Sequence, residues 1–113
     1  MSNGIDLVYI NRFKSLINKN FFNKIFTENE LKYINFRNND LGTIAGIYAS
    51  KEAFLKAIKK GINDYSLKDI EINHNNSVPY ITLYNELIEY NNKNISLSIS
   101  HDENYAIASV LIS

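Results

Sequence analysis

The sequence predicts a single α+β domain over residues 1–113, in which an antiparallel sheet of about five short strands packs on one long helix and on shorter helices. Three observations lead to this prediction. The length of 113 residues gives room for one domain and not for two. A helical pattern of apolar residues runs through the middle of the chain, at 41–60. The segments after it have a period of two, which is typical of strands.

The N-terminal third contains one predicted strand and two predicted helices. Ile5–Ile10 reads IDLVYI, a short apolar strand that a single acid, Asp6, interrupts. Residues 11–18 then change to helical spacing, with apolar side chains three and four positions apart. Thr27–Glu30 fits a capping box, in which the threonine hydroxyl accepts from the backbone N–H of the glutamate. We therefore expect a short helix that runs to about Ile34.

The clearest helix is predicted over Leu41–Lys60. Asp40 is a suitable N-cap for it, and Gly61 is a suitable C′ residue after its last turn. One face of this helix is apolar, and an adjoining face mixes apolar and charged residues. The apolar face consists of Ile44, Ile47, Phe54 and Ile58, and the adjoining face of Ala45, Tyr48, Glu52, Leu55 and Lys56.

Four strands are predicted after the helix. Residues 66–84 have the pattern of a hairpin with a loose loop at 74–78, and a short helix at 85–90 is compatible with the sequence that follows. Residues 95–100 alternate isoleucine or leucine with serine, which indicates a strand with one polar face. A final strand is predicted at 105–112.

The final strand, YAIASVLI, is apolar on both faces apart from Ser109. A terminal strand in a small antiparallel sheet normally has one face in water. Two explanations stay open at this point. Either another subunit covers the second face, or a helix of the same chain packs over it.

Composition excludes several classes of function. The 12 Lys and Arg residues balance 12 Asp and Glu residues, which argues against a non-specific nucleic-acid binder. The lack of cysteine excludes disulfides, thiolate nucleophiles and cysteine-based zinc sites. No apolar run approaches the roughly 18 residues of a membrane helix, and the MSNGID start does not look like a signal peptide. We therefore expect a cytoplasmic protein with no nucleic-acid or membrane partner.

Asp6 and Glu52 are the acids that could form a site. An unpaired carboxylate inside an apolar strand costs several kcal/mol, so Asp6 must face a cleft, a cation or a partner, or else bond to backbone N–H groups at a strand end. Glu52 and Lys56 lie four apart on the long helix, which is also the spacing of an ordinary surface ion pair. Two carboxylates with no histidine or cysteine between them make a hard oxygen site, which suits Mg²⁺.

Basic residues near the helix end and one histidine could contact phosphate. Lys56, Lys59 and Lys60 either complement the negative end of the helix dipole or bind anions there. His101 ends a strand in SISHD, where it is either a turn residue or a phosphate or proton contact. No P-loop, dinucleotide fingerprint or HExxH motif is present.

Five segments together resemble a known family. They occur in the family's order and spacing, and they cover nearly the whole chain. By these segments the chain resembles the holo-[acyl-carrier-protein] synthases, the small trimeric group of the 4′-phosphopantetheinyl transferases. The segments are GIDLVYINRF at 4–13, FFNKIFTENEL at 21–31, AGIYASKEAFLKAI at 45–58, PYI at 79–81 and SISHDENYAIA at 98–108.

The resemblance implies a fold, an activity and an assembly. The fold would be that of the 4′-phosphopantetheinyl transferases, in a homotrimer with active sites between subunits. The activity would be transfer of the phosphopantetheine arm of coenzyme A to a serine of apo acyl carrier protein, in fatty-acid synthesis. The second product would be adenosine 3′,5′-bisphosphate. The cofactor would be Mg²⁺, with Mn²⁺ as a substitute.

The resemblance also implies roles for individual residues. Asp6 and Glu52 match the metal ligands, and Lys56 matches the lysine that faces the pyrophosphate. His101 matches a histidine on the nucleotide side of the site. We therefore expect Asp6, Glu52, Lys56 and His101 to be catalytic, coenzyme A to contact Lys56, Lys59, Lys60, Gly61 and His101, and the carrier protein to contact Arg12, Lys14, Lys19 and Lys24.

The chain departs from the family pattern at three places. Ile47 stands where many members have arginine, Lys59–Gly61 replaces a common GTG, and Ser77–Val78 replaces a common Gly-Lys. These changes spare the four expected catalytic residues, so we predict an active enzyme whose affinity for coenzyme A differs from that of its relatives. Two alternatives are a non-catalytic carrier-binding module that keeps the fold and one half of the larger, pseudo-dimeric transferases.

Overall fold

The computed structural model describes residues 1–16, 19–61 and 64–113, and of Lys19 only its backbone. Five strands and three α-helices alternate with three 3-10 segments. The α-helices are α1 (Lys19–Ile25), α2 (Glu28–Phe36) and α3 (Leu41–Ala57). The strands are β1 (Ser2–Tyr9), β2 (Ile70–Asn75), β3 (Val78–Leu83), β4 (Ile95–His101) and β5 (Tyr105–Ile112). The 3-10 segments are Ile10–Lys14, Leu67–Asp69 and Asn85–Asn92.

The five strands divide between two antiparallel sheets. The larger sheet has the order β1-β5-β4, and the smaller one is the β2–β3 hairpin. In the larger sheet Asp6 on β1 pairs with Ala108 on β5, and His101 on β4 pairs with Ala106. The expected strand number is therefore confirmed, but the strands form a three-stranded sheet and a hairpin and not one continuous sheet.

Helix α3 covers the inner face of the larger sheet. Gly4, Asp6 and Val8 alternate along β1 and are buried, because every second residue of a strand points to the same side. At Gly4 a Cβ would clash with the carbonyl oxygen of Ala53, so the strand and the helix approach closely at this point. This contact places Asp6, two residues further along β1, directly against α3.

The outer face of the same sheet is exposed and apolar. On β5 the even-numbered residues 106–112 are buried under α3, whereas Tyr105, Ile107 and Leu111 are 47%, 37% and 41% exposed. Ile5 and Leu7 of β1 extend this surface. A helix of the same chain therefore covers only one face of the last strand, and the intramolecular explanation for its second apolar face is wrong.

The start of α3 follows the prediction, but its end does not. The Asp40 side chain accepts from the N–H of Thr43, as expected of an N-cap. The helix ends at Ala57, and Lys59 takes the left-handed C′ position with φ 62°. The N–H of Lys60 bonds to the carbonyl of Leu55 at 2.9 Å, which completes a Schellman motif. The predicted helix end at Lys60 is therefore wrong by three residues, and the predicted C′ residue, Gly61, is wrong by two.

Other local predictions are confirmed in part. The capping box between Thr27 and Glu30 is present with both hydrogen bonds. The hairpin is also present, but Asn76 and Ser77 at φ 50° and 70° make a tight two-residue turn and not a loose loop. The helical segment predicted at 11–18 is a 3-10 segment, Ile10–Lys14, and residues 17–18 lie outside the described residues.

A second buried contact holds the N-terminal helices on α3. The ammonium of Lys51 donates to Glu30 at 2.6 Å and to the carbonyls of Ile25 and Leu67 at 2.7 and 2.8 Å. Glu30 also accepts from the backbone N–H of Ile72. Burial raises the pKa of Glu30 and lowers that of Lys51, so each charge depends on these bonds.

Candidate functional site

Asp6 has one oxygen with a partner and one without. The ammonium of Lys56 lies 3.0 Å from Oδ1 of Asp6 and 3.1 Å from the carbonyl oxygen of Ile5. Oδ2 of Asp6 is buried, and no donor among the described residues bonds to it. A buried carboxylate oxygen without a donor costs free energy. A cation from outside the chain would remove this cost, and so would a proton on Glu52, whose pKa is raised in part by a hydrogen bond with Asp6.

Glu52 is the second acid of the site, and it lies beside Asp6. Two effects raise the pKa of Glu52: burial is the larger, and the negative charge of Asp6 is the second. The hydroxyl of Tyr48 donates to Oε1 of Glu52 at 3.0 Å, and this bond acts in the opposite direction. Burial and the neighbouring Glu52 raise the pKa of Tyr48 to about 12, so the phenol keeps its proton at neutral pH.

The hydrogen bonds differ from those expected of a surface ion pair. Glu52 and Lys56 are four residues apart, yet Lys56 bonds to Asp6 and Glu52 bonds to Tyr48. Within residues 1–16, 19–61 and 64–113 the ion pairs of 4.0 Å or less are Lys51–Glu30 and Lys56–Asp6. The ordinary explanation of Glu52 and Lys56 as a solvent-facing pair is therefore wrong.

The donor set of this cluster fits a hard divalent cation. Two carboxylates lie together, and one of their oxygens is buried and unpaired. No group of three His, Cys, Asp or Glu suited to a metal occurs in the described part of the chain. Mg²⁺ commonly uses one or two carboxylates and completes its octahedron with water and substrate phosphate, so Asp6 and Glu52 suffice.

A cavity next to the carboxylates contains most of the expected phosphate-binding residues. It has a volume of about 190 Å³ and is lined by Glu52, Leu55, Lys56, Lys60 and Gly61. Lys56 and Lys60 therefore face the space beside Glu52. Lys59 does not line this cavity, because it occupies the left-handed turn that ends the helix.

His101 lies at the opposite end of α3. A Cβ at Gly42 would be 2.9 Å from Nδ1 of His101, so the imidazole lies against the first turn of the helix. Ten residues separate Gly42 from Glu52, which corresponds to about 15 Å along the helix axis. Within one chain the structure therefore brings Asp6, Glu52 and Lys56 together but leaves His101 apart from them.

A second cavity, of about 260 Å³, lies beside His101. Its lining includes Arg37 and two histidines but no carboxylate. His74 in this lining stacks on Tyr33 with ring centroids 3.8 Å apart, and burial, with Arg37 nearby, lowers the pKa of His74. Ile47, which replaces the arginine of many family members, also lines this cavity. This departure from the family pattern therefore lies near His101.

The expected partner-binding residues lie at the N-terminal side of the molecule. The guanidinium of Arg12 lies over the rings of Phe13 and Tyr48, 5.2 and 5.1 Å from their centroids. Lys14 ends the first 3-10 segment, and Lys24 lies in the last turn of α1. Both lysines are exposed. The side chain of Lys19 lies outside the described residues.

Comparison with known proteins identifies the class to which this fold and site belong. The model of the 4′-phosphopantetheinyl transferase superfamily matches residues 2–110, and the chain belongs to this superfamily. The holo-[acyl-carrier-protein] synthase of Clostridium perfringens is 43% identical over 93% of this chain and 87% of that protein. The synthase of Caldicellulosiruptor saccharolyticus is 44% identical over 93% of this chain and 89% of its own length.

Solved structures give the same result. The Helicobacter pylori holo-[acyl-carrier-protein] synthase in complex with coenzyme A is 35% identical, with a TM-score of 0.86 over 98% of this chain and 99% of that chain. The Bacillus anthracis synthase in complex with CoA (3′,5′-ADP) is 31% identical, with a TM-score of 0.81 over 98% of this chain and 94% of that chain. The predicted family, fold class and type of enzyme are confirmed.

The hydrogen-bond partner of Glu52 was not predicted, although the sequence contains a signal for it. Tyr48 and Glu52 lie four residues apart on the same predicted helix face, which is the spacing at which side chains meet. The buried Lys51–Glu30 pair was also missed. Its signal is a lysine between Ile47 and Phe54 on the apolar face of the helix.

Proposed function

We propose that this chain transfers the 4′-phosphopantetheine arm of coenzyme A to a serine of an apo acyl carrier protein and releases adenosine 3′,5′-bisphosphate. One observation carries the proposal beyond family membership. Asp6 and Glu52, from distant parts of the chain, meet beside a lysine and a cavity, and one oxygen of Asp6 is buried without a partner.

Asp6 and Glu52 would hold Mg²⁺, or Mn²⁺ in its place. When bound, such an ion would neutralise charge on the pyrophosphate of coenzyme A and polarise the phosphorus. The two carboxylates contribute ligand oxygens and, because they are partly buried, exclude some of the competing water. Relief of the repulsion between two adjacent acids is a further reason for them to bind a divalent cation.

Lys56 and Lys60 would bind the phosphates in the adjoining cavity. Phosphoryl transfer depends mainly on positioning and on neutralising charge, which two ammonium groups in a confined space can supply. Lys56 is 56% exposed, so its side chain can leave Asp6 and reach an incoming phosphate. Gly61 lines the same cavity and would allow close approach of the ligand.

The His101 cavity would take the nucleotide of coenzyme A, in a homotrimer with active sites between chains. Arg37, His74 and His101 give this cavity donors for phosphate, and no acid in its lining opposes an anion. In one chain His101 lies about 15 Å from Glu52 along α3, so a neighbouring chain would bring its own His101 to the acids. The exposed apolar outer face of the β1-β5-β4 sheet supports such an assembly.

The carrier protein would bind at the surface that carries Arg12, Lys14 and Lys24, with Lys19 as a further contact. A local basic surface can attract an acidic partner although the whole chain has a formal net charge of zero. Arg12 contacts the ring of Tyr48, so this surface adjoins the metal-binding acids. No helix in the described residues is long and apolar enough to span a bilayer. The cytoplasmic location remains a prediction.

A mass measurement tests the proposed function. Apo acyl carrier protein, incubated with this protein, coenzyme A and Mg²⁺, should gain about 340 Da, the mass of one phosphopantetheine arm. Omission of Mg²⁺, or addition of a chelator, should prevent the gain. Failure of every apo carrier protein tested to gain mass, while the enzyme remains folded, would contradict the proposal.

The second candidate function is that of a non-catalytic carrier-binding module. Ile47 in the lining of the His101 cavity favours it, because an apolar side chain stands where many relatives have a cation. Carrier binding without any mass gain, and without tighter binding of coenzyme A in the presence of Mg²⁺, would support this candidate. A solution mass of three chains would support the trimeric assembly.

A further inference from the structure

One oxygen of Glu52 has its own hydrogen-bond donor inside the same helix. Tyr48 lies one turn before Glu52 on α3, and its hydroxyl donates to Oε1 at 3.0 Å. Tyr48 is only 7% exposed, so little water competes for this bond. Because both residues belong to α3, the helix fixes the position of the Tyr48 side chain relative to that of Glu52.

The ring of Tyr48 is held in place from two directions. Phe13 meets it edge to face, with ring centroids 5.3 Å apart and an interplanar angle of 64°. The guanidinium of Arg12 lies over the ring, 5.1 Å from its centroid. Aromatic and cation–π contacts of this kind restrict the ring, and thereby restrict where its hydroxyl can be.

We propose that Tyr48 is a positioning residue for the metal-binding pair: its hydroxyl holds Oε1 of Glu52 and keeps the carboxylate beside Asp6. This inference rests on the proposed function, because it takes Asp6 and Glu52 to be the ligands of a divalent ion. Without the phenol, repulsion between the two acids favours rotamers in which Glu52 turns away from Asp6. A ligand that is already oriented loses less entropy when the ion binds.

The test is the variant Tyr48→Phe, which removes the hydroxyl and keeps the ring packing. Mn²⁺ is titrated into the variant without coenzyme A, and its binding is measured by calorimetry. We expect the Kd for Mn²⁺ to rise about tenfold, as for the loss of other hydrogen bonds to metal ligands. In the transfer assay the KM for Mg²⁺ should rise in the same proportion. The KM for coenzyme A and the thermal unfolding midpoint should stay close to those of the wild type.

Tyr90→Phe is the matched control, because this tyrosine packs edge to face on Phe54, whereas the side-chain hydrogen bonds found for Glu52 and Asp6 in the described residues go to Tyr48 and Lys56. It should bind Mn²⁺ as the wild type does. Wild-type affinity for Mn²⁺ in Tyr48→Phe would overturn the inference while leaving the proposed function intact. Equal rises in the KM values for Mg²⁺ and coenzyme A would also overturn it, because they indicate a general structural defect. Absence of Mn²⁺ binding by the wild type would overturn the proposed metal site and this inference with it.

Discussion

Two lysine–carboxylate pairs lie on different sides of α3: Lys51 with Glu30, and Lys56 with Asp6. In the first pair the N–O distance is 2.6 Å, and both side chains are 0% exposed. The ammonium has three acceptors, and the Glu30 carboxylate accepts from Lys51 and from two backbone N–H groups. In the second pair the distance is 3.0 Å, Lys56 is 56% exposed, and Oδ2 of Asp6 has no hydrogen-bond partner in the part of the chain that the structure describes.

The difference distinguishes a structural ion pair from a site. A buried pair is tolerated when every donor and acceptor has a partner, and Lys51–Glu30 meets this condition. The Lys56–Asp6 pair does not meet it, since one carboxylate oxygen remains unpaired and a second acid, Glu52, lies alongside. Buried acids that the fold holds together without a full set of partners are typical of a binding or catalytic site.

The largest expected effect is the loss of activity when Asp6 or the neighbouring Glu52 is neutralised. Asp6→Asn or Glu52→Gln removes one of the two proposed metal ligands, so transfer should fall by about 10³-fold or more. The free energy of unfolding should change by less than about 1 kcal/mol, because the exposed Lys56 contributes little and the repulsion between the acids is relieved. Product formation and denaturant unfolding measure the two quantities. Normal turnover in either variant would contradict the metal assignment.

For the fully hydrogen-bonded pair Lys51–Glu30, the main expected effect of a substitution is a loss of stability. Lys51→Met leaves the Glu30 carboxylate buried without its cation, which should cost about 3–5 kcal/mol of stability. The double variant Glu30→Gln with Lys51→Met should recover much of this loss. Unfolding in denaturant at a fixed protein concentration measures both. A double variant as unstable as the single one would show that Lys51 acts mainly through its two backbone carbonyl bonds.

A smaller effect is expected from removing the charge of Lys56: the affinity for Mn²⁺ should rise, whereas the transfer activity should fall. Its ammonium bonds to Oδ1 of Asp6 in the structure. We therefore expect it to compete with a divalent ion for this oxygen. Lys56→Met should lower the Kd for Mn²⁺ by about threefold to tenfold without coenzyme A, yet reduce transfer by about 10²-fold. Lys60→Met is the control, because Lys60 lines the same cavity, whereas the lysine paired with Asp6 in the described residues is Lys56. Weaker Mn²⁺ binding in Lys56→Met would contradict the competition.

Parts of this arrangement could be predicted from the sequence because they depend on local rules. The N-cap at Asp40 and the Thr27–Glu30 capping box each need only a few adjacent residues, and both are present. The meeting of Asp6 and Glu52 could be predicted from the family resemblance and from the cost of an acid in an apolar strand. In each case one dominant interaction decides the local structure.

The side-chain contacts of the lysines on α3 and the pairing of the strands could not be predicted, because each residue or strand has several possible partners. Lys56 can reach Glu52 within its helix or Asp6 on β1, and only the packing of the strand on the helix decides in favour of Asp6. Periodicity predicts the strands and the β2–β3 hairpin but not the sheet to which each strand belongs, so the separation of this hairpin from the larger sheet could not be predicted. The partners of Lys51 come from three segments that are distant in sequence.

The smallest expected effect concerns the end of α3, just beyond Lys56. Lys59 has φ 62°, a conformation that costs a residue with a side chain about 1 kcal/mol more than glycine. Lys59→Gly should therefore raise the free energy of unfolding by about 0.5–1 kcal/mol, after allowance for the greater entropy of glycine in the unfolded chain. Lys59 does not line the cavity beside Glu52, so the KM for coenzyme A should rise less than in Lys60→Met. A larger rise in Lys59→Gly would instead place Lys59 among the phosphate contacts, and the strained turn would then be the means by which α3 presents that lysine to the ligand.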